Sequence, residues 1–219
     1  MGFKAVVFDL DGTLLDTIED LTDSMNAALA AMGFPGRSIE EAKRMVGDGL
    51  DVFVRRALPD EARDDPRAAA RLKEHMRSEY GIRRAVKTKP YEGIPALLEA
   101  LGRREIPTAV LSNKPHQETV ILIKKYFPGA EFRAVLGARE GVPPKPEPSA
   151  ALEIARDFGL RPGEIIYLGD TNTDMQTAGA AGMFAVGALW GFRSAEELKS
   201  HGARVLLEKP LDLLSLLQD

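Results

Sequence analysis

Two aspartates near the start of the chain, Asp9 and Asp11, have the type and spacing of groups that hold a cation. They lie where an apolar run, residues 5–8, stops, and such a short run is typical of a buried parallel strand. Gly12 follows and allows a sharp turn and a close approach to a ligand. Carboxylates crowded together repel each other unless a cation or a shared proton relieves them. The pattern favours a metal site, and its structural alternative is an Asp-rich turn in which Asp11 caps a helix.

Three later motifs carry groups that suit the same chemistry. They are Ser112-Asn113-Lys114, Lys145-Pro146 and Gly169-Asp170-Thr171-Asn172-Thr173-Asp174. The first and the third each follow a further apolar run, so they are expected at strand ends as well. Taken singly, each has an ordinary explanation, because Ser-Asn after a strand is often a cap, a lone lysine is usually solvated and paired aspartates often cap helices. The functional signal therefore comes from the ordered set.

The spacing of apolar residues predicts the elements that must position these motifs. From residue 90 onwards, helical and strand patterns alternate along the chain. The predicted strands there are 108–111, 132–136, 165–168 and 184–187, and the predicted helices are 94–101, 116–126, 146–158 and 174–181. Repeated β-α units predict a parallel sheet with right-handed crossovers and helices on both faces. Ligands bind such a sheet at the carboxyl ends of its strands, so Asp9, Ser112 and Asp170 can meet there.

The segment 16–86 has a different pattern. Apolar residues recur at steps of three and four, as Ile18, Leu21 and Met25 do, which predicts a small bundle of four helices with no strand. The segment interrupts the sheet just after its first strand. The predicted fold class is therefore α/β, a Rossmann-like parallel sheet core (1–15 and 87–219) with an inserted helical cap (16–86) placed as a lid over the site.

Composition narrows the function classes. The 219 residues include no cysteine, which excludes disulfides and thiolate zinc sites and suits a reducing cytosol. The formal net charge of -4 argues against a nucleic-acid surface, which needs a concentrated basic face. No apolar run approaches the roughly 20 residues that span a bilayer. We expect a cytoplasmic protein that binds neither nucleic acid nor membranes, and the sequence does not indicate an oligomeric state.

With the four motifs in this order, the sequence resembles the haloacid dehalogenase superfamily of phosphoryl-transfer enzymes, and within it the phosphoglycolate phosphatase branch. The resemblance covers essentially the whole chain. It implies that Asp9 attacks phosphorus and forms an aspartyl-phosphate, while Asp11 protonates the leaving oxygen and later takes a proton from water. Mg²⁺ would be the cofactor. Its implied ligands are the Asp9 carboxylate, the main-chain carbonyl of Asp11 and Asp170, with Asp174 as a second ligand or a support.

The same resemblance implies contacts to a small phosphorylated metabolite. Ser112 and Asn113 would donate hydrogen bonds to the phosphoryl oxygens. Lys145 would hold its ammonium beside them, and its proline-stiffened segment limits the entropy lost in fixing it. Gly12 and Thr13 complete the first loop and would help to position the metal ligands.

Substrate specificity is expected from the helical segment, since the core would contact only the phosphate. Candidates are Arg44, Gly47, Asp48, Gly49 and residues 87–89. The segment 46–49 resembles the cap loop of phosphoglycolate phosphatases, although alone it is typical of a turn between helices. Two close glycines can expose main-chain amides to a small anion. We hypothesise that Arg44 or the amides of Gly47 and Gly49 bind the carboxylate of 2-phosphoglycolate.

Other functions stay open at this point. A sugar phosphomutase of the same superfamily is the nearest alternative, but that related branch usually offers a histidine where this chain has Leu21. Pyrophosphate hydrolysis and a non-catalytic binding role on the same scaffold are further alternatives. A dinucleotide-binding enzyme is disfavoured because no Gly-x-Gly-x-x-Gly follows the first strand. Trp190 and Phe192 are predicted to be packing residues near a strand end, and the alternative is that they line the site.

Overall fold

A computed structural model describes residues 2–217 of the chain. The strands are β1 (Ala5–Phe8), β2 (Leu15–Asp16), β3 (Lys89–Pro90), β4 (Thr108–Pro115), β5 (Phe132–Ala138), β6 (Ile165–Gly169), β7 (Phe184–Ala188) and β8 (Val205–Leu207). The α-helices are α1 (Ile18–Ala31), α2 (Ile39–Met45), α3 (Leu50–Ala57), α4 (Pro66–Arg83), α5 (Ile94–Arg103), α6 (His116–Tyr126), α7 (Ser149–Phe158), α8 (Asn172–Ala181) and α9 (Ala195–Ser200). Short 3₁₀ helices cover Asp60–Ala62, Pro162–Glu164 and Pro210–Leu216. Residues 1, 218 and 219, which belong to the predicted core, lie outside the described part.

The long strands form a parallel sheet in the order β5-β4-β1-β6-β7-β8. Strand β1 lies between β4 and β6 and is fully buried, as expected for a strand covered on both faces. After β1 the chain builds the sheet outward through β4 and β5, and it then starts again at β6 and proceeds the other way. The winding therefore reverses between β1 and β6, which is where an open parallel sheet binds ligands. The predicted α/β fold class is confirmed.

The helices that cover this sheet pack through apolar stripes. One face of α7 carries Ala151, Ile154 and Phe158, which are spaced three and four residues apart and belong to one cluster with Val7 and Tyr167 of the sheet. Burying each large side chain of this kind contributes about 1.5–3 kcal/mol. The sheet is thereby held as a rigid frame for the loops at its strand ends.

The chain divides into two compact units. The sheet unit comprises Met1–Leu15 and Pro90–Asp219, and the helical unit comprises Asp16–Lys89. Strands β2 and β3 pair with each other as a short ribbon where the chain leaves the sheet unit and returns to it. In the helical unit, α1 packs against both α2 and α4. Within residues 2–217, no helix combines the length and the apolar character needed to cross a membrane.

A buried aspartate anchors the last residues of the helical unit. Asp20, in the first turn of α1, is 1% exposed. Its carboxylate accepts hydrogen bonds from the main-chain N–H groups of Val86, Lys87 and Thr88, at 3.1, 3.0 and 2.8 Å. The hydroxyl of Thr88 donates one more at 2.7 Å. Because one carboxylate binds three successive N–H groups, Asp20 fixes the segment that leads back to the sheet unit.

Strand β4 is longer than the sequence pattern predicts. It was expected to end at Ser112, but it continues to Pro115 through a register shift against β5 that follows Leu111. Residues 112–114 therefore lie within the extended strand, and side chains two residues apart in it share a face.

Helix α7 begins later than predicted, at Ser149 instead of residue 146. The residue before a proline is disfavoured in helical conformation, and residues 146 and 148 are both proline. The Glu147 side chain accepts a hydrogen bond from the N–H group of Ser149 at 2.9 Å, at the start of the helix. Residues 145–148 are therefore a non-helical segment that leads into α7.

We expect Asp20→Asn to destabilise the protein by about 2–3 kcal/mol, because an amide cannot accept hydrogen bonds from all the donors that face Asp20. The loss would appear as a lower midpoint of urea unfolding. Asp23→Asn is the matched control, since Asp23 lies on the same helix and its half-exposed carboxylate pairs with the Lys87 ammonium at 2.7 Å. That exposed pair should contribute less than about 1 kcal/mol. Equal midpoints for the two variants would contradict the anchoring role of Asp20.

Candidate active site

The loop after β1 is a tight turn closed by main-chain hydrogen bonds. The carbonyl of Leu10 accepts from the N–H groups of Thr13, Leu14 and Leu15, at 3.3, 3.0 and 3.0 Å. Gly12 has φ +91°, a conformation that residues with a Cβ rarely adopt. The turn therefore holds the two aspartates that flank Leu10 in a fixed position at the end of β1.

Asp9 is fixed through both its main chain and its side chain. Its N–H group donates to the carbonyl of Leu168 at 2.9 Å, which continues the pairing of β1 with β6. Its carboxylate accepts a hydrogen bond from Nζ of Lys145 at 2.7 Å. The same ammonium donates to Oδ1 of Asp174 at 2.7 Å and to the carbonyl of Leu111 at 3.1 Å. One buried ammonium thus joins the end of β1, strand β4 and the first turn of α8.

Lys145 reaches this position because Asn113 holds its main chain. The side-chain amide of Asn113 donates to the Lys145 carbonyl at 3.0 Å, and its Oδ1 accepts from the Lys145 N–H group at 2.9 Å. The Lys145 ammonium also lies 5.8 Å from the ring centroid of Tyr167, a distance suited to a cation–π contact. The hydroxyl of Ser112 accepts a hydrogen bond from the N–H group of Lys114 at 3.2 Å. Ser112 and Asn113, predicted as phosphate donors, are both buried beside Lys145.

Asp170 follows β6 and is fully buried. Its Oδ1 accepts a hydrogen bond from the hydroxyl of Thr13 at 3.0 Å, and its Oδ2 accepts one from the N–H group of Phe192 at 2.8 Å. A methyl group added to Gly12 or to Gly191 would overlap this side chain. The loops after β1, β6 and β7 therefore close around one carboxylate.

Asp174 lies in the first turn of α8 and combines two tasks. Its Oδ2 accepts hydrogen bonds from the hydroxyl and the N–H group of Thr171, at 2.7 and 3.0 Å, as part of a capping box. Its Oδ1 binds Lys145. Asp174 therefore caps α8 through Oδ2, as the structural alternative predicts. Its Oδ1 belongs to the charged cluster.

A second charged pair lies next to this cluster. The Lys114 ammonium donates to both carboxylate oxygens of Asp11, each at 2.9 Å. The sequence analysis assigned no role to Lys114. The sequence pattern carried no signal for it, because the predicted strand ends before residue 114.

The loop after β7 also reaches the site. The indole N–H of Trp190 donates to the carbonyl of Thr13 at 2.9 Å, and the main chain of Phe192 contacts Asp170. The two residues therefore lie at the site, Phe192 through its main chain, which was the alternative to packing near a strand end. Main-chain donors leave no mark in a sequence motif, and the neighbouring Gly191 was the available signal for a close approach.

The carboxylates of the cluster carry negative charge in excess of the positive charge around them. Three aspartates, Asp9, Asp170 and Asp174, face the single ammonium of Lys145. Burial raises the pKa of Asp9 to about 7, since it outweighs the attraction of Lys145 and is reinforced by the charge of Asp174. Burial, together with the charges of Asp174 and Asp9, raises the pKa of Asp170 well above its usual range. For Lys145, burial alone would lower the pKa, but the charges of Asp174 and Asp9 outweigh it and hold the pKa well above its usual value.

The donor set suits a hard divalent cation. One oxygen from each of Asp9, Asp170 and Asp174 lies within 4.8 Å of the others, and all three side chains are buried. Mg²⁺ prefers carboxylate oxygens and tolerates few protein ligands. Burial and the excess negative charge together raise the pKa values of Asp9 and Asp170, and a divalent cation would balance that charge. The cluster could therefore hold a metal ion.

The predicted specificity residues belong to the helical unit. Arg44 is exposed near the end of α2. Gly47 and Gly49, with φ values of +123° and +88°, form the turn between α2 and α3. The carboxylate of Asp48, between them, pairs with Arg56 at 2.7 Å. The other predicted site residues all belong to the sheet unit, and they are Asp9, Asp11, Gly12, Thr13, Ser112, Asn113, Lys145, Asp170 and Asp174.

The sequence matches a model of the haloacid dehalogenase-like hydrolases over residues 6–188. The chain belongs to this family. The resemblance inferred from the four ordered motifs is thereby confirmed, and so is the prediction that the chain is an enzyme. The matched residues of this haloacid dehalogenase-like hydrolase include every motif of the buried cluster.

Several relatives of this haloacid dehalogenase-like hydrolase are named phosphoglycolate phosphatase. It is 30% identical over 215 residues to phosphoglycolate phosphatase 1 of Pseudomonas aeruginosa, a match that covers 96% of this chain and 78% of the relative. It is 31% identical over 218 residues to the phosphoglycolate phosphatase of Photorhabdus laumondii, covering 98% of this chain and 92% of the relative.

Solved structures agree with the fold. The crystal structure of a candidate phosphoglycolate phosphatase from Lactobacillus delbrueckii subsp. bulgaricus has a TM-score of 0.92 and 31% identity, covering 100% of both chains. The crystal structure of a protein named as a predicted phosphoglycolate phosphatase, from Haemophilus somnus 129PT, has a TM-score of 0.90 and 27% identity, covering 97% of both chains.

We expect Mg²⁺ to bind this hydrolase at the buried carboxylates and to change the fluorescence of Trp190. Trp190 is the single tryptophan of the chain, and it contacts the loop that holds Asp170. At about 100 times its Kd, a ligand of the native state stabilises by about 2.7 kcal/mol, which raises the Tm of a chain of this size by about 5–10 °C.

Asp170→Asn should lose both the fluorescence change and the rise in Tm on addition of Mg²⁺. Asp157→Asn, at an exposed position of α7, is the control and should keep both responses. An unchanged Mg²⁺ response in Asp170→Asn would show that the metal binds elsewhere.

Proposed function

We propose that the chain is a Mg²⁺-dependent phosphomonoester hydrolase that acts through an aspartyl-phosphate on a small phosphorylated metabolite, with 2-phosphoglycolate as the favoured substrate. The observation that carries this proposal is the contact of one buried ammonium, Lys145, with both Asp9 and Asp174, beside the buried carboxylate of Asp170. The cluster lies at the carboxyl ends of strands beside the point where the sheet reverses its winding. It supplies a carboxylate nucleophile and positive charge at one place.

Asp9 is the proposed nucleophile. Its main chain is fixed to β6 and its carboxylate is oriented by Lys145, so its position is set before a substrate arrives. A carboxylate oxygen of Asp9 forms a bond to phosphorus while the bond from phosphorus to the ester oxygen breaks. Lys145 keeps its proton throughout and neutralises negative charge around the phosphoryl group.

Asp11 is the proposed acid and base. It donates a proton to the ester oxygen as that oxygen leaves. In the second step it takes a proton from the water that attacks phosphorus, which releases phosphate and restores the Asp9 carboxylate. The ion pair with Lys114 holds the Asp11 carboxylate in place beside Asp9.

The residues that would hold Mg²⁺ are Asp9, through its carboxylate, Asp11, through its main-chain carbonyl, and Asp170. Asp174 would be a second ligand or a support of this set, and its two oxygens accept hydrogen bonds from Lys145 and Thr171. When bound, the cation supplies positive charge to the phosphoryl oxygens and orients them. Thr13 and Gly12 serve this set indirectly, since the Thr13 hydroxyl binds Asp170 and Gly12 leaves room for it.

The phosphoryl oxygens would be bound by Ser112 and Lys145. Asn113 is a further proposed donor to these oxygens, and its side-chain amide also binds the N–H and the carbonyl of Lys145. We propose that its side chain positions Lys145.

The helical unit is the proposed cap, residues 16–86 in the sequence-based boundaries. Arg44 and the amides of Gly47 and Gly49 are its proposed contacts to the organic part of the substrate. The relatives named phosphoglycolate phosphatase support 2-phosphoglycolate as that substrate. The sugar phosphomutase alternative gains no support, because Leu21 is a buried apolar residue of α1.

Asp9→Asn should lower the kcat of Mg²⁺-dependent hydrolysis of 2-phosphoglycolate by at least about a thousandfold, since an amide cannot attack phosphorus. Phosphate release would be followed with Asp157→Asn as the control, and circular dichroism would check that the fold is intact. Turnover near the wild-type value in a folded Asp9→Asn would contradict the assignment of the nucleophile.

The substrate is tested on the wild-type enzyme with a panel of phosphates ranked by kcat/KM. We expect the kcat/KM for 2-phosphoglycolate to exceed those for pyrophosphate and hexose phosphates. If pyrophosphate leads, the chain acts mainly on a phosphoanhydride, and both the phosphomonoester class and the substrate assignment are wrong.

A further inference from the structure

Lys114 is a buried lysine whose part in the reaction proposed above is limited to holding Asp11. Its side chain is 4% exposed and that of Asp11 is 12% exposed, and its ammonium contacts both Asp11 oxygens at 2.9 Å. Taking both charges out of water is costly, and a buried ion pair is often no more stabilising than apolar residues of the same size. Fold stability alone is therefore a weak reason for this pair.

The positive charges of the site are divided between two places. Lys145 binds the carboxylates that face the proposed phosphoryl and metal position, Asp9 and Asp174. Lys114 binds Asp11 instead. If Asp11 delivers a proton to the leaving oxygen, the Lys114 ammonium lies at the leaving-group end of the site.

The distances from Asp11 to the leaving oxygen and to Lys114 make the leaving-group end of the site suitable for an anion. A proton donor and its acceptor stand about 2.6–3.2 Å apart, so the leaving oxygen must come that close to Asp11. The Lys114 ammonium is 2.9 Å from the same carboxylate. In 2-phosphoglycolate one carbon separates the ester oxygen from the carboxylate, which is short enough for a carboxylate turned toward Lys114 to contact its ammonium.

An ammonium can serve two carboxylates at once because it carries three N–H donors. Lys145 already does so in this structure, at 2.7 Å from both Asp9 and Asp174. Lys114 could therefore bind a substrate carboxylate while it holds Asp11.

We propose that Lys114 selects phosphomonoesters whose leaving group carries an anionic group one carbon from the ester oxygen. This inference rests on the proposed phosphatase function and deepens it. It assigns part of the substrate specificity to the sheet unit, in addition to the contacts proposed for Arg44, Gly47 and Gly49 in the helical unit.

The test compares two substrates of similar size, 2-phosphoglycolate and 2-hydroxyethyl phosphate, which has a neutral leaving group. The quantity measured is the ratio of their kcat/KM values with Mg²⁺ present. Lys114→Met should lower this ratio by about ten- to a hundredfold, because the contact between the ammonium and the carboxylate is lost only for the anionic substrate. Lys124→Met, at an exposed position of α6, is the matched control and should leave the ratio unchanged.

Two further variants and an inhibitor keep the test decisive. Lys114→Arg keeps the positive charge and should retain most of the ratio. Lys114→Gln removes the charge but keeps a polar side chain, so it is measured instead if Lys114→Met does not fold. Glycolate should inhibit the wild-type enzyme, and the inhibition constant should rise by a similar factor in the uncharged variants.

An equal fall of kcat/KM for both substrates would overturn the inference, since Lys114 would then act only by positioning Asp11. A wild-type enzyme that hydrolyses 2-hydroxyethyl phosphate as well as 2-phosphoglycolate would overturn it too, while leaving the phosphatase function intact. Hydrolysis of neither substrate would instead remove the proposed function, and the inference with it.

Discussion

The structure depends on the burial of like charges at the point where the sheet reverses its winding. Asp9, Asp170 and Asp174 are buried within a few ångströms of one another, and Asp9 and Asp174 share one ammonium, that of Lys145. Such a cluster is unfavourable by itself, which is why the pKa of Asp9 rises to about 7 through burial despite its contact with Lys145. Packing of the sheet and its helices must supply the free energy that holds these groups together. A site that is costly to assemble and suited to a cation is best explained by binding and catalysis.

The surrounding loops are built to hold these groups in place. The loop after β1 is closed on the Leu10 carbonyl, the loop after β6 begins a capped helix at Thr171, and the loop after β7 approaches Asp170 closely at Gly191. Each loop follows a buried parallel strand, so the strand ends set the position of the chemistry. A second pair, Asp11 and Lys114, extends the charged region toward the place proposed for the leaving group.

The sequence was sufficient for the fold class and for the family, because both leave local signals. Apolar runs that end in Asp9, Ser112 and Asp170 mark parallel strands and their functional ends at the same time. The start of α7 was predicted too early because the helical spacing of apolar residues was weighed above the prolines at 146 and 148. In that segment the backbone restriction imposed by proline decides the structure.

The contacts that the sequence could not supply are those made by the main chain and across long separations. Phe192 binds Asp170 through its N–H group, which any residue type could provide. Asn113 binds the main chain of Lys145, 32 residues away, although its side chain suggested a phosphate donor. Lys114 was passed over because β4 was expected to end before it.

The most direct measurement is a crystal structure of the protein with Mg²⁺ and beryllium fluoride, which mimics a phosphoryl group on a carboxylate. We expect beryllium to be bonded to an Asp9 oxygen, Mg²⁺ to contact Asp9 and Asp170, and the Lys145 ammonium to lie beside the fluorides. Beryllium fluoride on another carboxylate, or a cation that contacts neither Asp9 nor Asp170, would contradict this expectation.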